Sequence, residues 1–235
     1  MTAGEGLSKT SIFHSIHICM CKQVFEMAAI TIYTDFVCPY CLLAETIVQD
    51  AIGNRDIAID WRPFELRPEP VPTLRPEDPY LPSVWKQSVY PMAERLGVPI
   101  RLPTWSPQPR TAKAFELLAL AKDSGLGHPY SMRVLRAFFQ EDRDIGDHTI
   151  LIALAAEAGL NPDKAREAFE SGVYVDRHRE ALRHAREDMA VTSVPTVVVG
   201  TRIFRGTPPL DELRLAIDQL EAKADNESRP SLRGV

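Results

Sequence analysis

Ile30-Thr31-Ile32-Tyr33-Thr34-Asp35-Phe36-Val37-Cys38-Pro39-Tyr40-Cys41 is the stretch on which the fold turns. Its first seven residues are mostly β-branched or aromatic and predict a strand. Two cysteines separated by two residues follow at once. From Leu42 the spacing changes. Leu42, Leu43, Ile47 and Ile52 recur with helical period, and Gly53-Asn54 stops them. Pro39 suits the first turn of that helix, where a missing N–H costs nothing. Ile57, Ile59, Trp61 and Phe64 then alternate as a second strand. Strand, helix and strand in this order suit a parallel pair joined by a helical crossover.

Outward from this unit the pattern changes twice. Residues 63–109 hold 12 of the 19 prolines, together with Trp85 and Trp105, and Trp61 just precedes them. They predict an extended, proline-stiffened loop, with a helix over 83–97 kinked at Pro91. This stretch fits a substrate groove and packing over the sheet equally well. From Arg110 to Ala190 the period is helical, with helices expected over 110–124, 129–141, 147–158, 162–172 and 175–190. The alternating pattern then returns. Pro195–Val199 reads as a strand, Gly200-Thr201 as a hairpin turn, Arg202–Arg205 as a strand and 209–222 as an amphipathic helix. Residues from Asp225 on are polar and read as a tail. The expected architecture is an α/β sheet domain built from 27–65 and 191–223. A proline-rich loop and a helical insertion, 66–190, divide it, and a disordered tail, 224–235, follows.

Composition narrows the class. Of 235 residues, 45% are hydrophobic and 25% charged, which is ordinary for a globular chain and excludes disorder throughout. A net charge of −5 leaves no basic footprint for nucleic acid and no attraction to an anionic membrane. No run approaches the roughly 18 apolar residues of a membrane span. Four cysteines are too few for a secreted disulfide scaffold, so a cytoplasmic location is expected. Residues 1–26 read as an added or misassigned start, because Met27 stands directly before the first strand. His14, Ser15 and His17 interrupt the only apolar stretch that could serve as a signal.

The chemistry lies in Cys38-Pro39-Tyr40-Cys41. A helix start favours an anion through its unpaired N–H groups and dipole, so a cysteine placed there tends toward the reactive thiolate. Cys38 sits at that start, and Cys41 shares its face one turn on. The pair predicts thiol–disulfide exchange, with Cys38 as nucleophile and Cys41 as resolving thiol. Cys38 is expected to be partly exposed with a lowered pKa, and Cys41 buried and slow. Two other readings stand beside this one. Cys19 and Cys21 could complete a C-x-C-x16-C-x2-C zinc site, or Cys38 and Cys41 could be structural thiols. Zinc knuckles use turns, whereas a strand running into a helix suits redox chemistry, so no metal is expected.

Several segments together resemble one family. They are Asp35–Cys41, Arg62-Pro63-Phe64-Glu65-Leu66, Arg136-Ala137-Phe138-Phe139, Ala156-Glu157-Ala158-Gly159-Leu160 and Val194-Pro195-Thr196. Over roughly 29–222 the chain resembles the DsbA-like branch of the thioredoxin fold, and within it the FrnE-type cytoplasmic dithiol–disulfide oxidoreductases, described as isomerases of polyketide pathways. The resemblance implies a thioredoxin-like fold with a helical insertion, a cis Pro195 beside the cysteines, and a Val194 backbone that pairs with substrate. Pro39 and Tyr40 join Val194 as expected substrate contacts. Protein or small-molecule dithiols and disulfides are the implied partners, with no resident cofactor beyond the redox-active cysteines and glutathione as the candidate reductant. Two departures stand out. Periplasmic DsbA proteins carry a buried glutamate where this chain has Ile32, which leaves Asp35, a strand-end carboxylate that could equally cap or face solvent, as the candidate for proton transfer. Ser193 replaces the glycine the family often has.

Two other functions fit the architecture. One is a glutathione-dependent transferase or isomerase of the kappa or hydroxychromene-carboxylate type, which usually carries serine where Cys38 stands. The other is a redox-sensing binding module. His128 and His148 are expected as helix caps or solvated side chains, Glu65 as structural, and Arg177 to Arg186 as a solvated helix face.

Overall fold

The first predicted strand forms as β1 (Ala29–Thr34) in a computed structural model that describes residues 29–228. Among those residues β1 lies inside a four-stranded sheet of order β2-β1-β3-β4. On one side β2 (Ala58–Pro63) runs parallel to it, with Ile32 opposite Trp61. On the other side β3 (Thr196–Val199) runs antiparallel, with Ile32 opposite Val197, and β4 (Arg202–Arg205) completes the hairpin. Ile30, Ile32 and Tyr33 are fully buried, as a strand covered on both faces requires.

Helix α1 (Pro39–Ile52) starts where the sequence places it. Cys38 takes the extended N-cap conformation, Pro39 opens the first turn, and Gly53 ends the helix at φ 61°, a backbone geometry that costs glycine least. The long insertion begins with α2 (Tyr80–Val84), a π-turn over Trp85–Val89, and α3 (Tyr90–Leu96). The kink expected at Pro91 is taken up by that π-turn. Proline there lacks an N–H and crowds the preceding turn, and a widened turn relieves both problems.

Then follow α4 (Ala112–Asp123), α5 (Gly127–Phe139), α6 (His148–Glu157), α7 (Pro162–Ser171) and α8 (Val175–Arg183), the last continued by a π-turn over His184–Asp188. Asp147 and Asn161 cap α6 and α7 by accepting backbone N–H bonds. Helices α5 and α8 pack on β2, so the insertion closes over that edge of the sheet. Phe36, Phe115, Tyr130, Phe138 and Phe139 are buried and continue the sheet core into the helices.

Helix α9 (Leu210–Ser228) packs on β3 and α1. It runs past the boundary that composition suggested at 224. Asp225, Asn226 and Ser228 are weak helix formers but cost only up to about 0.7 kcal/mol each, which does not end a helix as a proline would, and the sequence offers no proline beyond Pro209 until Pro230. The remainder of the predicted tail, the predicted extension 1–26, and Cys19 and Cys21 lie outside the described residues. No helix among the described residues is long and apolar enough to cross a membrane.

Candidate active site at the dithiol

The turn between β1 and α1 is fixed by backbone bonds. The Cys38 N–H donates to the Asp35 carbonyl at 3.0 Å, and the Cys41 N–H to the Cys38 carbonyl at 3.0 Å. Both cysteines are free thiols. The loop before β3 comes in over them. The Cys38 thiol donates to the Val194 carbonyl at 3.5 Å across 156 residues of chain, and the Val194–Pro195 peptide bond is cis. The Thr196 hydroxyl donates to the Ser193 carbonyl at 2.7 Å, and the Gly206 N–H to the Pro195 carbonyl at 2.8 Å. The strand–helix junction and the Val-Pro loop, far apart in sequence, therefore meet at one sulfur.

Cys38 is only 5% exposed, so the partly exposed nucleophile expected from the sequence is corrected. The Val194 loop on one side and the insertion on the other recess the sulfur, which is reached through a cleft. Cys41 is fully buried. Burial pushes its thiol well above the ordinary range, and the neighbouring Cys38 adds to that push. The Thr34 hydroxyl and the Asp35 backbone oppose it. Val194 is also recessed, and its carbonyl is already engaged by the Cys38 thiol.

Asp35 neither caps α1 nor faces solvent, which corrects both alternatives drawn from the sequence. It is 1% exposed, and its Oδ2 accepts from the Leu66 N–H at 2.7 Å. Burial pushes its carboxyl up to about 6, against the Leu66 N–H and the Thr111 hydroxyl, which favour the anion. The Glu65 carboxylate adds a smaller upward push.

The cleft holds about 220 Å³. Asp35, Cys38, Pro39, Tyr40 and Val194 form its reactive side. The opposite wall comes from the proline-rich stretch, with Leu66, Leu74, Tyr80, Leu81, Trp85 and Gln108. The stretch packs and also lines a cleft: Trp85 is buried and is part of the cleft wall. The Tyr40 hydroxyl donates to Ser88 Oγ at 2.7 Å, tying the residues between the cysteines to the π-turn.

Other sequence expectations are revised nearby. His178, expected on a solvated face, is buried, pairs with Glu65 Oε1 through Nε2 at 2.7 Å and stacks on Phe115. Arg186 leaves that face as well, donating to the Glu65 carbonyl at 2.9 Å above the Phe64 ring. Arg177, Arg179 and Arg183 do form surface ion pairs. His128 is no cap: its Nδ1 accepts from the Trp61 indole at 2.9 Å, and burial lowers its pKa. His148 is exposed and stacks on Phe169. Sequence reasoning missed Gln108, Thr111 and Ser88 as parts of the site, and nothing in their local pattern marks them.

The sequence pattern of the DSBA-like thioredoxin domain matches residues 29–218. A Bacillus subtilis protein, the uncharacterized YwbO, is 43% identical over 195 residues, covering 83% of this chain and 98% of its own. Among solved structures, a probable DsbA oxidoreductase from Streptomyces coelicolor is similar with a TM-score of 0.65 at 20% identity, over 88% of this chain and 94% of its own. A 2-hydroxychromene-2-carboxylate isomerase gives 0.68 at 16% identity, over 86% and 100%. The cytosolic disulfide reductase DsbM from Pseudomonas aeruginosa, solved with glutathione, gives 0.55 at 18% identity, over 86% and 100%. At these identities the three structures speak for the fold.

Proposed function

The chain belongs to the DSBA-like thioredoxin domain family, and from that premise we propose that it is a thiol–disulfide oxidoreductase or isomerase with Cys38 as nucleophile and Cys41 as resolving thiol. The observation that carries this reading is the recessed Cys38 sulfur at the start of α1, with the Val194-Pro195 loop across from it and Cys41 one turn further in. The Cys38 thiolate attacks one sulfur of a substrate disulfide. A mixed disulfide forms and the other sulfur leaves as a thiolate. Cys41 then attacks Cys38, forming the Cys38–Cys41 disulfide and releasing the second substrate thiolate.

The buried Cys41 thiol holds its proton until that second attack. Asp35, lining the same cleft and ionised above about pH 6, is the carboxylate that receives the proton. Pro39 stiffens the turn, and Tyr40 and Val194 contact the incoming substrate. In a FrnE-type cytoplasmic setting, glutathione returns the pair to the dithiol, and the same two steps run in reverse on a dithiol substrate.

Insulin-disulfide reduction with glutathione and glutathione reductase tests this reading. Cys38→Ser is expected to lose at least about 10³-fold in rate, as removal of a covalent nucleophile does. Cys41→Ser is expected to accumulate a mixed disulfide on Cys38, visible by mass spectrometry. Full turnover in Cys38→Ser, or first alkylation at Cys41 in the reduced protein, overturns the assignment. A glutathione-conjugation assay run in parallel separates the exchange reading from a transferase.

A further inference from the structure

Three features of the cleft bear on what enters it. The Cys38 sulfur is recessed, so a disulfide must be carried inward on a narrow substituent; a flat protein surface cannot meet it. The Val194 carbonyl lies beside that sulfur, accepting from the Cys38 thiol at 3.5 Å and released when Cys38 ionises, so it is a contact for whatever disulfide is bound there. The wall facing the sulfur is apolar and ends at the mouth in Leu66 and Tyr80, which are 43% and 59% exposed. Exposed large apolar side chains at the rim of a concave site are the usual mark of an apolar ligand.

Thr73, Thr111 and Gln108 are uncharged polar side chains that line the cleft, and the Thr111 hydroxyl is turned to the Asp35 carboxyl. Gln108 is 6% exposed and lines the cleft. Its backbone N–H is used, donating to the Leu74 carbonyl at 2.7 Å. Among the described residues its side-chain amide meets no hydrogen-bond partner. That amide is not sealed off but opens to the cleft, so a ligand lying there can meet it with a donor or acceptor of its own. The two guanidinium groups at the rim are partly committed elsewhere. Arg110 donates to the Arg67 and Val71 carbonyls and pairs with Glu69, and Arg67 donates to the Pro72 carbonyl.

We propose that the cleft selects low-molecular-weight disulfides carrying an apolar ring or branched body and an uncharged hydrogen-bonding group, which Gln108 recognises while the disulfide lies at Cys38. The proposal rests on the exchange reading and names its substrate class. In one turnover the dithiol is oxidised to the Cys38–Cys41 disulfide, and the bound disulfide is reduced to two thiols, which take up the two protons. Glutathione or an added dithiol restores the reduced protein.

The test uses the full chain, reduced and freed of reductant, in single-turnover mixing. The probes are the methyl disulfides of 4-carbamoylbenzyl, 4-methylbenzyl and 4-carboxybenzyl thiol, which share one sulfur environment. Bis(2-hydroxyethyl) disulfide serves as a featureless reference and insulin as the protein substrate. The carbamoyl probe is expected to react about tenfold faster than the methyl probe, the ratio that one neutral hydrogen bond of roughly 1–1.5 kcal/mol supplies. It should also react faster than insulin. In Gln108→Leu the carbamoyl-to-methyl ratio should fall to about one; because it is a ratio, a uniform loss from misfolding leaves it unchanged.

Equal rates for the three benzyl probes, or insulin reacting fastest, overturn the proposal and leave exchange standing. A carboxyl probe that reacts fastest also overturns it, by assigning recognition to Arg67 and Arg110. Failure of every disulfide, the reference included, overturns the exchange reading itself.

Discussion

The two sides of the cleft are built by different rules. The reactive side is local. β1, the turn and α1 follow one another within 24 residues, and each is dictated by its own composition and by Pro39. The opposite wall is assembled from Leu66 to Gln108, with a π-turn, cis bonds at Glu69–Pro70 and Ser106–Pro107, and helices that pack on one another before they touch the sheet. On the exchange reading, one side supplies the reacting atoms. The other supplies shape. The cysteine pair is set by short spacings, and the shape of the cleft beside it by long-range packing.

The largest effect expected from disturbing this division is on the wall. Trp85 is 1% exposed, with Tyr90 at 5.3 Å and Phe139 at 5.9 Å between ring centroids. If the wall is a packed layer and not a loose flap, Trp85→Ala should cost about 3–5 kcal/mol, as truncation of a buried aromatic does. Urea unfolding followed by far-UV circular dichroism measures it. Trp105, in the same proline-rich stretch, is 41% exposed and held by one indole bond to the Asp142 carbonyl at 2.8 Å. Trp105→Ala should cost no more than about 1 kcal/mol. Equal costs for the two tryptophans would show that the wall is not layered in this way.

The next effect comes from the reactive side. Asp35 is raised from 3.8 to about 6 in the folded chain. A group whose folded pKa is raised stabilises the protein while it is protonated. That contribution is lost as pH climbs from about 4 through 6. The shift corresponds to a penalty on the order of 3 kcal/mol at neutral pH. Asp35→Asn should therefore stabilise the protein at pH 7–8 by up to that amount and change little near pH 4. For a domain of this size that is roughly 6–12 °C in melting midpoint. The same variant should slow resolution of the mixed disulfide by Cys41 and flatten its pH profile near 6. A stability gain that does not depend on pH would mean that the carboxylate is not the source of the penalty.

How far each side was legible from the amino-acid string follows the same division. Strand, cap, proline and cysteine spacing are local signals, so β1, α1 and the Cys38/Cys41 pair could be placed from the sequence. The meeting of Val194 with Cys38 could not be read from spacing; it came with the family resemblance. Burial was legible only in part: Cys41 is buried, as its place one turn into the helix implies, but Cys38 and His178 are not where the sequence puts them. Cys38 lost its exposure because a loop 156 residues away lies over it. His178 left the surface because Glu65, near the end of the motif Arg62–Leu66, offers it a buried carboxylate across 113 residues. Gln108 sits in a proline-rich run with no periodicity to reveal which side chains turn inward. Polarity predicts exposure on average, and it fails where a distant partner satisfies the group or where a cleft waits to be filled.

The smallest effect concerns the join between the two sides. The Tyr40 hydroxyl, from between the cysteines, donates to Ser88 Oγ on the π-turn at 2.7 Å. This bond lies near solvent, so water competes for both groups and its net worth is about 0.5–1 kcal/mol. Ser88→Ala and Tyr40→Phe each remove the same bond and little else. Each should lower the melting midpoint by roughly 1–4 °C. The double variant should lower it no further than either single one, because the second substitution finds nothing left to break. A coupling energy of about 0.5–1 kcal/mol in that cycle would show that the wall is fastened to the active-site helix through Tyr40. If the two effects simply add, the bond does not hold in solution, and the wall keeps its place beside Cys38 by packing alone.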